Sequence, residues 1–370
     1  MQPKKIIIAP DSFKGSLTSI EVADIIGEEI SVFLPDCEII KMPIADGGEG
    51  SVETIITALG GKTYQTKVLS PDDRMIDAKY GIASNGTAII EVAQSSGITK
   101  QKGLHPMTSN TFGFGQLILA ALERGARDFI LCIGGSATTD CGCGMAAALG
   151  VLFLDEKGRS FIPCGKDLCD VAKIDINLID KRAQKSNFTV MCDVTNPLTG
   201  KNGAAFVYSP QKGASPEQVI HLDKGLYHIG RLLSELFGKD LTSIPGAGAA
   251  GGLGAGCMAF LGANLQSGID AILELCGFEE HVRQADLIIT GEGKLDSQSF
   301  YGKVLSGLLR EANGVPVWSV CGVCDCDETL LQKHGVTVFE ASKGISTNES
   351  MSDPAKYLRI AVQKAMQDAG

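Results

Sequence analysis

The sequence predicts an α/β protein of two domains: a parallel-sheet domain built from both ends of the chain and a second α/β domain inserted into it. Three observations carry this. Apolar runs of strand length alternate with helical periodicity near both termini, and antiparallel turn chemistry interrupts that grammar after residue 65. The 370 residues suit about two domains at roughly 100 to 200 residues each.

The first element is the continuous apolar run 6–9, closed by Pro10, as a buried parallel strand requires. Ile20, Ala23, Ile26, Ile30 and Phe33 then share one face of a helix over 19–34. A second strand over 38–44 leads through a Gly-rich turn to a helix over 50–59. The far end repeats the pattern, with strands at 286–290, 315–321 and 336–340 and helices at 302–312 and 327–334.

Between these ends, strands over 66–91 are separated by Pro71-Asp72-Asp73 and Asn85-Gly86, turn chemistry that a doubly wound parallel sheet does not need. Further strands are expected at 129–133, 151–154, 188–192 and 205–208, and helices at 113–124 and 216–237. The boundaries therefore fall near 65 and 275, giving a discontinuous domain of 1–65 with 275–370 and an insert of 66–274. With no repeat or linker in view, the two are expected to meet across a substrate cleft.

Composition narrows the function classes. Net charge is −10 and no Lys/Arg cluster appears, so a nucleic-acid partner is not expected. An acidic protein that handles an anion must gather its lysines locally or recruit a metal. The twelve cysteines are scattered and lack two spaced Cys-x-x-Cys pairs, which predicts free thiols and a cytoplasmic setting. The apolar run at 6–9 is too short for a signal peptide, and no stretch reaches the roughly 18 residues of a membrane span.

The 45 glycines, against an average share of about 7%, concentrate at strand ends. Strand 6–9 ends in Ala9-Pro10-Asp11-Ser12-Phe13-Lys14-Gly15-Ser16, where Lys14 offers a positive charge to a phosphoryl or carboxylate oxygen and Ser12 a hydroxyl. The next strand ends in Ala45-Asp46-Gly47-Gly48-Glu49-Gly50, whose two carboxylates suit Mg2+ or ligand hydroxyls. Gly291-Glu292-Gly293-Lys294-Leu295-Asp296 repeats the mixture at a third strand end. In the insert, Gly134-Gly135-Ser136-Ala137-Thr138-Thr139-Asp140 reads as an anion-binding turn. Asp193-Val194-Thr195-Asn196-Pro197 and Ser209-Pro210-Gln211-Lys212-Gly213 add an acid, amides and a lysine.

Gly60-Gly61-Lys62-Thr63 has Ile56 where a P-loop needs glycine, and Gly-x-Gly-x-x-Gly after the first strand and Gly-x-Ser-x-Gly are both missing. A P-loop kinase, a dinucleotide dehydrogenase and an α/β-hydrolase each lose their primary signal. Taken in order, the loops above, together with Gly246-Ala247-Gly248-Ala249-Ala250-Gly251-Gly252-Leu253-Gly254, closely resemble the glycerate kinase type I family from residue 5 to about 365. The resemblance implies a flavodoxin-like domain paired with an α/β domain resembling restriction endonucleases. It also implies ATP-dependent phosphorylation of D-glycerate to 2- or 3-phosphoglycerate without a P-loop. Where many members resemble Gly-Gly-Ser-Ala-Thr-Asn-Asp-Gly-Gly, this chain has Thr139 and Cys141, which raises the question of a glycine-type backbone at 141.

Phosphoryl transfer needs charge neutralisation and an acceptor for the hydroxyl proton. On that chemistry Asp193 is the expected base, Lys14 and Asp296 are catalytic, and Ser12, Lys212, Asn196 and Gln211 bind substrate. Gly134, Gly135, Ser136, Thr138 and Asp140, with Gly291, Glu292 and Gly293, are expected on the nucleotide, and Asp46 and Glu49 on Mg2+. An aspartate suits a base and a metal ligand equally, so residue type alone does not divide these roles. The expected partners are ATP, Mg2+ and D-glycerate, with no membrane and with self-association left open. A phosphatase, a nucleotide-regulated binder and a Rossmann-like oxidoreductase share part of this loop chemistry. ATP-dependent glycerate consumption separates the first reading from all three.

Overall fold

The computed structural model describes residues 3–44, 48, 50–301 and 304–369, apart from the side chains of 347, 348 and 369. Its strands are β1 (Lys5–Ile8), β2 (Glu38–Lys41), β3 (Gly61–Leu69), β4 (Met75–Ala83), β5 (Ala88–Glu91), β6 (Asp128–Cys132) and β7 (Leu152–Leu154). They continue with β8 (Ser160–Phe161), β9 (Lys173–Asp175), β10 (Asn187–Met191), β11 (Asn264–Gln266), β12 (Leu287–Asp296), β13 (Val317–Asp325) and β14 (Val336–Glu340). Contacts divide the chain into one unit of Met1–Asp46 with Gly268–Gly370 and another of Gly47–Ser267. The helix Ser51–Leu59 packs on β3, β4 and β5, which places it with the second unit, although the sequence expectation put residues up to 65 in the first.

The first unit holds a sheet in the order β14-β13-β12-β1-β2, parallel throughout. Ile6 and Ile8 point into a core shared with Val22, Ile26 and Ile30 of helix Ser19–Phe33 and with Leu358 and Val362 of helix Pro354–Ala369. Thr18 starts the former helix: its hydroxyl accepts from the Glu21 N–H while the Glu21 carboxylate accepts from the Thr18 N–H, a reciprocal cap. Strand order reverses between β1 and β12, so the chain leaves these two strands in opposite directions and opens a crevice at their carboxyl ends.

In the second unit the order is β11-β10-β6-β5-β4-β3, antiparallel from β3 to β5 and parallel from β5 to β11. The turn at 70–74 joins β3 to β4 with Leu69 opposite Met75, as the Pro-Asp-Asp signal predicts. A smaller antiparallel sheet, β8-β7-β9, stands beside it. The Gly/Ala run forms the helix Ala249–Leu261, buried along most of its length and kinked at Ala250–Gly252.

Two expectations need correction. Residues 205–208 lie in a helix, Ala204–Tyr208, and not in a strand. Its short apolar run has no β-branched majority, and it packs on helices Pro216–Phe237 and Ala249–Leu261. Residues 291–296 are no loop either: β12 continues through them, paired with β13 from Gly291–Val320 to Asp296–Asp325.

Candidate active site

In the first unit, a cleft of about 460 Å³ lies at the carboxyl ends of β1, β12, β13 and β14. Its polar end is lined by Asp11, Ser12, Lys14, Glu292, Gly293 and Asp296. The loop after β1 reaches it because the Asp11 N–H donates to the Gly291 carbonyl at 2.8 Å, which ties the loop to β12. The Asp11 carboxylate accepts the Ser12 N–H at 2.6 Å. Glu292 accepts from the Ser299 hydroxyl at 2.8 Å, and Asp296 accepts the Gln298 N–H at 2.9 Å. Lys14 is exposed, and Lys294 pairs with Asp325 at 3.0 Å. The three carboxylates at this strand edge can orient a metal carried by a polyphosphate, and Lys14 adds a positive charge beside them.

The floor of the cleft is backbone. A side chain at Gly322 would come within 2.5 Å of the Gly293 carbonyl, so glycine there lets β12 and β13 run side by side where both line the cleft. The other wall consists of Val323, Ala341, Met351, Pro354 and Tyr357.

The second unit gathers a different set at the carboxyl edge of its parallel strands. After β6, Gly134 and Gly135 are partly or fully exposed while 136–140 are buried. The Ala137 N–H donates to the Ser96 carbonyl at 2.9 Å, and the Ile98 N–H to that of Gly135 at 3.1 Å, so part of this turn's backbone is already engaged. Gly251 has φ +72, and a Cβ there would collide with the Thr138 carbonyl, so the glycine-rich helix start packs directly under the loop. Cys141 adopts φ 54, the left-handed conformation that glycine favours. At the end of β5, the buried Glu91 accepts the Val52 N–H at 2.5 Å and caps helix Ser51–Leu59. Asp193, after β10, is exposed.

Several expected ligand contacts turn inward instead. Asp140 is fully buried and accepts from the Thr111 N–H at 2.8 Å, the Thr111 hydroxyl at 2.7 Å, the Gly144 N–H at 3.1 Å and the Gly142 N–H at 3.3 Å. Burial raises its carboxyl above the ordinary value while those donors pull it back. With four donors on its two oxygens, Asp140 staples the turn.

Lys212 is likewise buried. Its Nζ donates to the Thr138 carbonyl at 2.6 Å and the Ser136 hydroxyl at 3.1 Å, and burial lowers its pKa to about 7 against the opposing charge of Asp140. The Thr138 hydroxyl beside it is buried without a partner among the described residues. Asn196 is engaged on both sides, donating to the Asn202 carbonyl at 2.8 Å and accepting from the Tyr208 hydroxyl at 2.5 Å. Gln211 sits exposed on the short turn Pro210–Lys212.

Of the expected residues, the first unit's cleft therefore unites Ser12, Lys14, Glu292, Gly293 and Asp296, with Gly291 buried behind them. The second sheet's edge carries Gly134, Gly135, Ser136, Thr138 and Asp193. Asp46 and Glu49 lie outside the described residues. Sequence reasoning gave no role to Asp11, although it sits in a loop already singled out. Met351 and Tyr357 follow no Gly-rich signal and needed the fold to be found.

A family model described as the glycerate kinase family matches residues 6–369. Over 337 residues the chain is 43% identical to "Glycerate kinase" of Halalkalibacterium halodurans, which covers 90% of this chain and 88% of that one. It is 42% identical over 349 residues to "Glycerate 2-kinase" of Escherichia coli K12, with 93% and 92% covered. The crystal structure of a protein assigned as glycerate kinase 2 of Salmonella typhimurium LT2 matches with a TM-score of 0.89 and 36% identity, covering 100% of this chain and 98% of that one. The chain belongs to the glycerate kinase family.

Proposed function

We propose that this chain is an ATP-dependent glycerate kinase that transfers the γ-phosphoryl group of ATP to a hydroxyl of D-glycerate, releasing ADP and 2- or 3-phosphoglycerate. Family membership and relatives named for the same activity support the reading. The observation that carries it in the structure is the cleft where Asp11, Ser12, Lys14, Glu292 and Asp296 converge on the strand-order reversal. Counted along the first unit, the strand order is 2-1-3-4-5, which supports a flavodoxin-like reading of that unit. The restriction-endonuclease-like reading of the second unit rests on the motif resemblance. Twelve free thiols suit a cytoplasmic enzyme, and no helix among the described residues is long and apolar enough to cross a membrane.

In the proposed reaction the glycerate hydroxyl oxygen forms a bond to the γ-phosphorus as the bond to the bridging β,γ-oxygen breaks, and the hydroxyl proton passes to a carboxylate. Asp193 is our assignment for that base, since it is exposed at a strand end and has no lysine adjacent in sequence. Lys14 offsets the charge of the transferred group. Among the described residues no three acidic, His or Cys groups converge to hold an ion by themselves. Mg2+ is usually held by one or two carboxylates together with substrate phosphates. Asp46 and Glu49 are the proposed ligands, with Asp296 as a further candidate. When bound, Mg2+ would supply positive charge that offsets the phosphate oxygens of the donor.

Glycerate-dependent ADP formation, followed by a coupled assay, tests the reading. ADP release that does not depend on glycerate would contradict it.

A further inference from the structure

We infer that the apolar end of the first unit's cleft seats the nucleobase of the phosphoryl donor, with Val323, Ala341, Met351, Pro354 and Tyr357 forming its walls. The inference rests on the kinase reading and adds to it the placement of the base. The cleft crosses the carboxyl edge of the sheet from the loop after β1 to the segment after β14, with β12 and β13 between. Three inter-strand steps of about 4.8 Å give it a length of about 14 Å. A three-carbon acid spans only about 4 Å from bond lengths near 1.5 Å, so glycerate fills one end at most.

The chemistry also changes along that length. Lys14, Ser12 and the carboxylates of Asp11, Glu292 and Asp296 stand at the β1–β12 end. At the β13–β14 end the wall is mainly aliphatic and aromatic, with Ser350 among its residues, and the Tyr357 hydroxyl donates to Glu349 at 2.9 Å. The ligand that matches is long, carries at one end an anionic group together with a cation that the three carboxylates can help to hold, and is flat and apolar at the other, which describes a metal complex of a nucleoside triphosphate. The volume of about 460 Å³ falls in the range of roughly 300–1,000 Å³ for sites that enclose such ligands.

Two measurements test this. Photolabelling the intact protein with 8-azido-ATP should attach label to the peptides spanning 341 and 350–357, and label confined to other parts of the chain would overturn the inference. In kinetics, Ala341→Phe fills the apolar end. It should raise the KM for ATP about 10-fold or more and abolish competitive inhibition by adenosine. Inhibition by inorganic tripolyphosphate and the KM for glycerate should stay as in the wild type. Met351→Glu, at an exposed position, should act in the same direction if Ala341→Phe does not fold. A raised KM for glycerate with that for ATP unchanged, or no change in either, would overturn the placement. Label at 341–357 in a protein that does not phosphorylate glycerate would uphold the base site and sink the glycerate reading, so the two failures are distinguishable.

Discussion

Lys212→Met probes the buried amine under the 134–140 loop. The lysine falls from an ordinary 10.5 to about 7 on folding because burial disfavours its charge. Between those values the unfolded chain binds the extra proton, so this group's contribution to stability is fully present above about 10.5. It is lost as pH falls toward 7, below which both states are charged. A drop of about 3.5 pH units at about 1.36 kcal/mol each gives a change on the order of 5 kcal/mol. The methionine variant lacks that dependence. It also leaves the Thr138 carbonyl and the Ser136 hydroxyl without their donor, at a cost of about 1–3 kcal/mol each if no other partner replaces it.

Urea unfolding at pH 7, 8 and 9 in reducing buffer measures the difference. Circular dichroism is the proper probe, because the single tryptophan, Trp318, lies in the first unit and Lys212 in the second. From pH 7 to 9 the stability advantage of wild type over variant should grow by about 1 kcal/mol per pH unit. A difference independent of pH would refute the assignment of Lys212 as a buried, titrating brace.

Asp140→Asn should destabilise the second unit by about 3 kcal/mol, since four donors meet one acceptor oxygen fewer. The KM for ATP of the folded fraction should stay near wild type, and a large rise in KM with unchanged thermal stability would return Asp140 to the ligand. Asp193→Asn should lower kcat by roughly 100-fold to 10,000-fold with ATP affinity little changed, as loss of a general base does. Near-normal turnover would leave that side chain a surface role. Chelation should abolish turnover and Mg2+ should restore it, while full activity in excess EDTA after metal removal would exclude the roles proposed for Asp46 and Glu49.

Helix Pro216–Phe237 was legible to the residue because its ends are written in local chemistry: Ser215 forms a reciprocal cap with Gln218, and Gly238 takes the left-handed conformation after the last turn. β14 was equally plain, an apolar run between Gly335 and the polar residues that follow. Residues 204–208 were not, since five residues are too few for periodicity to separate strand from helix. Continuation of β12 through two glycines also escaped notice, because glycine reads as a break unless a partner strand is known to lie alongside.

Of the expected site residues, Ser12, Lys14, Glu292 and Asp296 stand in strand-end motifs of the sequence and line the cleft in the structure. Asp140, Lys212 and Asn196 turn polar atoms to protein partners instead. Each stands in a polar, Gly-rich or Pro-containing motif that looks solvent-facing. Their partners at Thr111, Ser136 and Tyr208 are fixed only by tertiary packing.

The most direct measurement is phosphorus NMR of the purified protein incubated with ATP, Mg2+ and D-glycerate. The account predicts loss of the γ-phosphate signal, with matching growth of ADP and one phosphoglycerate monoester. Unchanged ATP, or inorganic phosphate in place of the monoester, would contradict it.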